Sequence, residues 1–292
     1  MWGLGILYVI STSFFITYPS IFSRPFTKSS TEEIKEGKTL SKKNYVLSQE
    51  QKESLIGILL ADGILVKAKP EHNTRLRIDH TYPCQEAYVI SIYTLFKSMV
   101  NMEPTILERK ADIRTEKIYK SAGGPPNTKC KAGPRADRRD PPYEVWGRAP
   151  QSIYFWTLSF ACFNPYYHFF YNGKTKIVPL NIEELLTARG LAHWIMGDGF
   201  YMTSRGVIVL CTESFTKEET NLLIAALNNK FGIKATLNKR ILSTGLDGWR
   251  IRISKKSMKK VTTIVDPYII PVFRYKLGEN NINNLVPVKI KI

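Results

Sequence analysis

Two aspartates, Asp62 and Asp198, sit where a carboxylate has chemistry to do. Each closes an apolar run, LIGILLADG at residues 55–63 and LAHWIMGDG at residues 191–199, and each is the only charged side chain in its run. Burying a lone carboxylate is costly unless a metal ion, a cation or water stands beside it. Two such runs therefore predict one shared ionic site.

The elements that must position these carboxylates are legible as patterns. Small residues four apart within each apolar run read as helix, with Ser54 as the expected N-cap of the first, and with Gly63 and Gly199 expected to end each helix in the left-handed conformation. Residues 64–69 and 75–80 alternate as the strands of a hairpin, with Arg75, Arg77 and Asp79 on one face, Leu76 and Ile78 on the other, and Lys67 and Lys69 on the first strand. A helix over 85–99 follows, then strands at 105–110 and 143–148, a helix over 152–163, and the Lys174–Lys176 stretch.

The same order returns after Gly199. Strands at 200–203 and 206–212 precede a helix opened by Thr216, whose partner Glu219 completes a capping-box pattern. Strands at 233–239 and 249–254 come next, where Lys234, Thr236, Asn238 and Arg240 share one polar face and Arg250 and Arg252 another, before a helix over 255–265. Each half thus reads αββαββα. The chain divides into an apolar N-terminal segment (1–22), a polar linker (23–50), a first half (51–172) and a second half (173–292). A Gly-, Pro-, Lys- and Arg-rich loop at 111–142 belongs to the first half alone.

Composition bounds the partner. The 292 residues are 43% hydrophobic and carry a formal net charge of +17, so the surface attracts polyanions, nucleic acid foremost. Cys84, Cys130, Cys162 and Cys211 lack zinc or redox spacing and read as thiols of a reducing compartment. His72, His80, His168 and His193 show no ligand spacing and read as structural. Residues 1–22 have the length of a membrane-spanning or signal-like segment, or of translation carried in from an upstream reading frame.

Over residues 51–277, the two motifs and the repeated order of elements resemble the LAGLIDADG homing endonucleases, specifically the single-chain, two-motif type encoded in organellar group I introns. The resemblance implies an α/β (α+β) fold of two pseudo-symmetric αββαββα halves. Each half would carry a saddle-shaped antiparallel sheet laid in the DNA major groove, and the motif helices would pack through Gly57, Ala61 and Gly197. His193 replaces the small residue expected on the second helix. By the same resemblance, Asp62 and Asp198 ligate Mg2+ (or Mn2+), with the Ala61 and Gly197 backbone as further candidate donors, while Lys176 (or its neighbour Lys174) and Lys276 serve as catalytic lysines. Arg75, Arg77, Asn238, Arg240, Arg250 and Arg252 become base readers, supported by Lys67, Lys69, Lys234 and Thr236.

The implied activity is metal-dependent cleavage of both strands of a long double-stranded DNA target to promote intron homing. The protein would act as a monomer in the mitochondrion or chloroplast, and the unequal halves imply an asymmetric target. The alternative is a maturase that binds group I intron RNA and assists splicing.

Overall fold

The computed structural model describes residues 44–108, 151–242 and 245–279. The expectations for residues 1–22, for the basic loop at 111–142 and for a strand at 143–148 lie outside them. Among the described residues, no helix is long and apolar enough to cross a membrane.

Helix α1 (Gln49–Leu60) starts earlier than Ser54. Gln51 donates its backbone N–H to Ser48 Oγ at 3.1 Å, and its side-chain oxygen accepts from the Ser48 N–H at 3.0 Å. This reciprocal cap satisfies two donors that a start at Ser54 would not. The linker expected up to residue 50 therefore ends sooner, with Leu47 already buried.

After α1 come β1 (Ile64–Val66), β2 (Arg75–Thr81), α2 (Glu86–Phe96), β3 (Thr105–Glu108), β4 (Gln151–Trp156) and α3 (Asn164–Phe170). A hairpin, β5 (Tyr171–Asn172) and β6 (Thr175–Lys176), and the short α4 (Ile182–Leu185) lead to α5 (Ala188–Asp198). The expected division at 172/173 falls at the turn of that hairpin. Then follow β7 (Gly199–Met202), β8 (Val207–Cys211), α6 (Lys217–Phe231), β9 (Ala235–Ile241), β10 (Asp247–Ile253) and α7 (Met258–Val265), with a 3-10 run at Pro271–Leu277. The Thr216–Glu219 capping box opens α6.

One expected helix is a strand. Gln151–Trp156 is β4, hydrogen-bonded to both β2 and β3. Its aromatic and β-branched residues suit a pleated, half-buried surface: Ile153 and Phe155 face the core, while Tyr154 and Trp156 lie on the other face with Arg77 and Asp79. The unbroken apolar and aromatic run IYFW at residues 153–156 hides that alternation. The α-helix starts only at Asn164, after a 3-10 turn at Ala161–Phe163, with Pro165 in its first turn.

The two four-stranded sheets share one antiparallel design, β1-β2-β4-β3 and β7-β8-β10-β9. Ile64, two residues past Asp62, pairs with Arg77; Phe200, two past Asp198, pairs with Val209. The registers therefore equate Arg77 with Val209, His80 with Thr212, Thr81 with Glu213, and Trp156 with Arg252. Leu76, Ile78, Ile153 and Phe155 of one sheet, and Ile208, Leu210, Ile251 and Ile253 of the other, form the buried faces beneath the helices.

The motif helices α1 and α5 pack side by side. A Cβ added at Gly57 would lie 1.9 Å from the Gly190 carbonyl oxygen, and one at Gly197 would lie 2.5 Å from the Ala61 Cβ. Backbone meets backbone along the seam, and Gly190 joins the residues read from the sequence. The left-handed ends expected at Gly63 and Gly199 are absent, since neither has a positive φ. What requires glycine there is proximity: a Cβ would stand 2.4 Å from Ile58 Cγ2 at Gly63 and 2.6 Å from the Ile195 carbonyl oxygen at Gly199. At both glycines the chain turns back over the last helical turn as it enters the strand.

Candidate active site and nucleic-acid interface

The seam delivers both carboxylates to one place. Asp62 and Asp198 both act on Lys176, on Lys276 and on the buried Tyr88, so their fields overlap. The Asp62 side chain is 56% exposed, whereas Asp198 is mostly buried. Burial, followed by the like charge of Asp62 and offset by Lys176 and Lys276, pushes Asp198 up to about 8.

A lysine serves each helix end. Lys176, at the end of β6, donates to the carbonyls of Ala61 at 2.7 Å and Gly63 at 3.0 Å. Lys276, from the Pro271–Leu277 run, donates to Met196, to Gly197 at 3.2 Å and to Ile195 at 3.4 Å. Burial brings both ammonium groups down to about 8 against the pull of the two aspartates. Lys174 is exposed at the hairpin tip. The Ala61 and Gly197 carbonyls, expected as further metal donors, thus already accept from lysines.

His80, read from the sequence as structural, is packed next to Asp62. It lies on the buried face of β2, with Nδ1 3.6 Å from the Asp62 carboxylate and its ring edge-on to Tyr88 at 5.4 Å. Tyr88 Oη in turn donates to the His193 carbonyl at 2.9 Å, which ties the neighbourhood of Asp62 to α5. His193 itself packs against Gly57, and burial, with the nearby Arg189, takes it down to about 4. The period-two pattern of β2 places His80 inward, but its closeness to Asp62 depends on how α1 crosses the sheet, which no local pattern reveals.

Among the described residues, no group of three or more His, Cys, Asp or Glu side chains converges. At the paired helix ends, the described residues offer two carboxylates, Asp62 and Asp198. That donor set fits magnesium or manganese, which take hard oxygens and fill their remaining positions with water and phosphate. A divalent cation would also relieve the repulsion that Asp62 exerts on Asp198.

The basic faces differ between the halves. On the first sheet the arginines stand on β2, and Trp156 of β4 lies beneath them: the Arg75 guanidinium is 4.1 Å and that of Arg77 4.9 Å from its ring centre. Arg77 also donates to Asp79 at 2.7 Å. On the second sheet the arginines move to β10, where Arg250 is paired with Asn238 and Arg252 with Thr236 across the ladder. Asn238, Arg250 and Arg252 line a concave surface with Met202, Arg205 and Val209; Arg205, in the β7–β8 turn, was not among the residues read from the sequence. Arg240 and Lys234 are exposed, and Lys239 pairs with Asp247 at 2.7 Å. Strand β1 stops at Val66, so Lys67 and Lys69 lie in the loop beyond it, Lys67 over the Tyr167 ring. Cys162 and Cys211 are free thiols, while Cys84 is disulfide-bonded, against the reading of every cysteine as a thiol.

Paired αββαββα units joined through two carboxylate-ended helices are the architecture of a two-motif LAGLIDADG protein. The chain matches the LAGLIDADG DNA endonuclease family over residues 52–122 and 129–261, and it belongs to that family. It is 30% identical over 241 residues to the probable intron-encoded endonuclease 1 of Wickerhamomyces canadensis, covering 79% of this chain and 85% of that protein. It is also 27% identical over 230 residues to the cytochrome b mRNA maturase bI2 of Saccharomyces cerevisiae, covering 77% of this chain but only 46% of the maturase. Among solved structures, the homing endonuclease I-WcaI bound to its DNA recognition sequence shares the fold, with a TM-score of 0.63 at 24% identity over 88% of this chain and 95% of that one.

Proposed function

We propose that the protein is a site-specific endonuclease that cuts both strands of a long double-stranded DNA target to promote intron homing. The observation that carries this reading is the convergence of Asp62, Asp198, Lys176 and Lys276 at the paired helix ends, between two basic sheets. On this reading each of the two carboxylates serves one strand. Asp62 and Asp198 would hold a magnesium or manganese ion, whose chemistry there would be to polarise a scissile phosphate and lower the pKa of an attacking water. Lys176 has two of its three N–H groups on carbonyls and keeps the third for a phosphate oxygen or a water. Lys276, with its N–H groups spread over three carbonyls, fixes the end of α5 and adds positive charge from beneath.

The sheets supply binding. Arg75, Arg77, Arg240, Arg250 and Arg252 suit guanine, Asn238 suits adenine, and Lys67, Lys69, Lys234 and Thr236 suit the phosphate backbone. Their unequal placement on the two sheets supports an asymmetric target. The reading has the chain act as a monomer in an organelle that carries such introns, the mitochondrion foremost.

Purified protein incubated with intronless target DNA and magnesium tests the proposal. Double-strand cleavage by the wild type, lost in Asp62→Asn and Asp198→Asn with DNA binding retained, is the expected result; undiminished cleavage by both variants would sink the mechanism. Similarity to the yeast maturase supports a second reading, assistance of group I intron splicing through RNA binding. A splicing assay on the precursor RNA separates the two.

A further inference from the structure

Besides Asp247, which pairs with Lys239, a second acidic side chain stands among the arginines of the second sheet. Glu213 follows β8 in a turn closed by the Phe215 N–H on the Thr212 carbonyl at 3.0 Å. That turn is stitched to β10, because Thr212 Oγ1 donates to the Trp249 carbonyl at 2.7 Å and Phe215 is buried. Gly248 makes room for the side chain, since a Cβ there would stand 3.0 Å from Glu213 Cγ.

Glu213 Oε1 accepts from Arg250 Nε and lies 3.8 Å from Arg240 Nη1. The Arg250 side chain is only 12% exposed and that of Glu213 19%. In so dry a setting a charge-assisted bond holds its geometry. The Arg250 guanidinium also lies over the Phe200 ring, 5.6 Å from its centre. Held at Nε and by the ring, Arg250 has its two Nη groups left for an outside partner. A free arginine loses rotamer freedom when it is fixed on a base; one held in advance has already lost it.

We propose that Glu213 is a specificity-positioning residue, which presets Arg250 and draws in Arg240 so that Arg250 meets the O6 and N7 acceptors of a guanine in the major groove. The equivalent position of the first half is Thr81, so this arrangement belongs to the second half of the target alone. The inference rests on the DNA-reading role proposed above.

The test is selection of a randomised DNA duplex library by binding, without divalent cation, using the wild type, Arg250→Ala, Glu213→Ala and the double variant. The wild type is expected to enrich guanine at a position that Arg250→Ala relaxes. Glu213→Ala should relax that same position by about fivefold or more. The double variant should do no worse there than Arg250→Ala, and affinity for an unrelated duplex should hold or rise because a negative charge is gone. Glu213→Gln keeps an acceptor oxygen and should relax the position less, and it carries the test if the alanine variant does not fold. An unchanged preference in the Glu213 variants, a change only at positions that Arg250→Ala leaves alone, or a uniform loss of affinity across all sequences would overturn the inference. Failure of the wild type to enrich any sequence would overturn the DNA reading itself, and this inference with it.

Discussion

Lys276 does for α5 what Lys176 does for α1, yet the two ammonium groups differ in what they have to spare. Lys176 spans two carbonyls, those of Ala61 and Gly63. Lys276 spans three, and it is 3% exposed where Lys176 is half-buried. A pseudo-twofold fold has thus placed equivalent charges in unequal settings.

That inequality predicts a split between two variants. Lys176→Met should lower the cleavage rate by about a hundredfold, the size of effect seen on removing one preorganised donor, while the melting temperature moves by no more than a few degrees. Lys276→Met should lower both, because its carbonyls would lose a shared donor in a buried place. Cleavage rates and melting curves of the two proteins, measured together, check this.

Asp198 makes stability depend on pH. The fold holds it protonated up to about pH 8, whereas the unfolded chain ionises it near its ordinary 3.8. Between those values the folded state binds a proton that the unfolded state lacks, so stability falls as pH rises and levels off above about 8. Asp198→Asn removes the titration. In metal-free protein it should raise the melting temperature least near pH 4 and most near pH 8, and melting curves across that range give the answer.

The seam between α1 and α5 has no room to give. Gly57→Ala would drive a methyl group into the Gly190 backbone, 1.9 Å from its carbonyl oxygen, and backbone cannot swing aside as a side chain can. A loss of about 3 kcal/mol is expected, at the upper end of overpacking costs. Urea denaturation of this variant should show it; a stability within 0.5 kcal/mol of wild type, about the spread of harmless surface changes, would contradict the packing.

The DNA-reading role proposed for Arg75 and Arg77 gives Trp156 an indirect part in binding. With Arg75 and Arg77 over its ring, Trp156→Ala releases two guanidinium groups and forfeits about 1 kcal/mol of cation–π attraction. DNA affinity should fall about fivefold, and Trp156→Phe should recover most of it. Fluorescence anisotropy on a labelled target duplex measures both.

Much of this protein was legible in its residues because the relevant signals are local. Apolar runs ending in Asp-Gly, period-two basic strands and the Thr216–Glu219 cap each depend on neighbours within a few positions, and their recurrence in order exposed the repeat. The errors have a physical source as well. Ser54 was a plausible cap, but Ser48 had a reciprocal partner in Gln51. Gly63 and Gly199 followed helices, yet close approach to Ile58 and Ile195, and no left-handed turn, requires them. β4 ends in four successive apolar or aromatic residues, 153–156, so its alternation disappeared.

By itself the sequence determined the two carboxylate-ended helices, the αββαββα order and the basic alternation of the strands, all consequences of backbone periodicity and side-chain type. Only the tertiary structure decided which groups meet. It set Gly190 against Gly57, brought His80 to Asp62 from a strand, chose Lys176 over Lys174, and pinned Arg250 with Glu213 from another strand's end. Those meetings depend on strand register and helix crossing, which are set by the packing of the whole core and leave no trace in the spacing of any one segment.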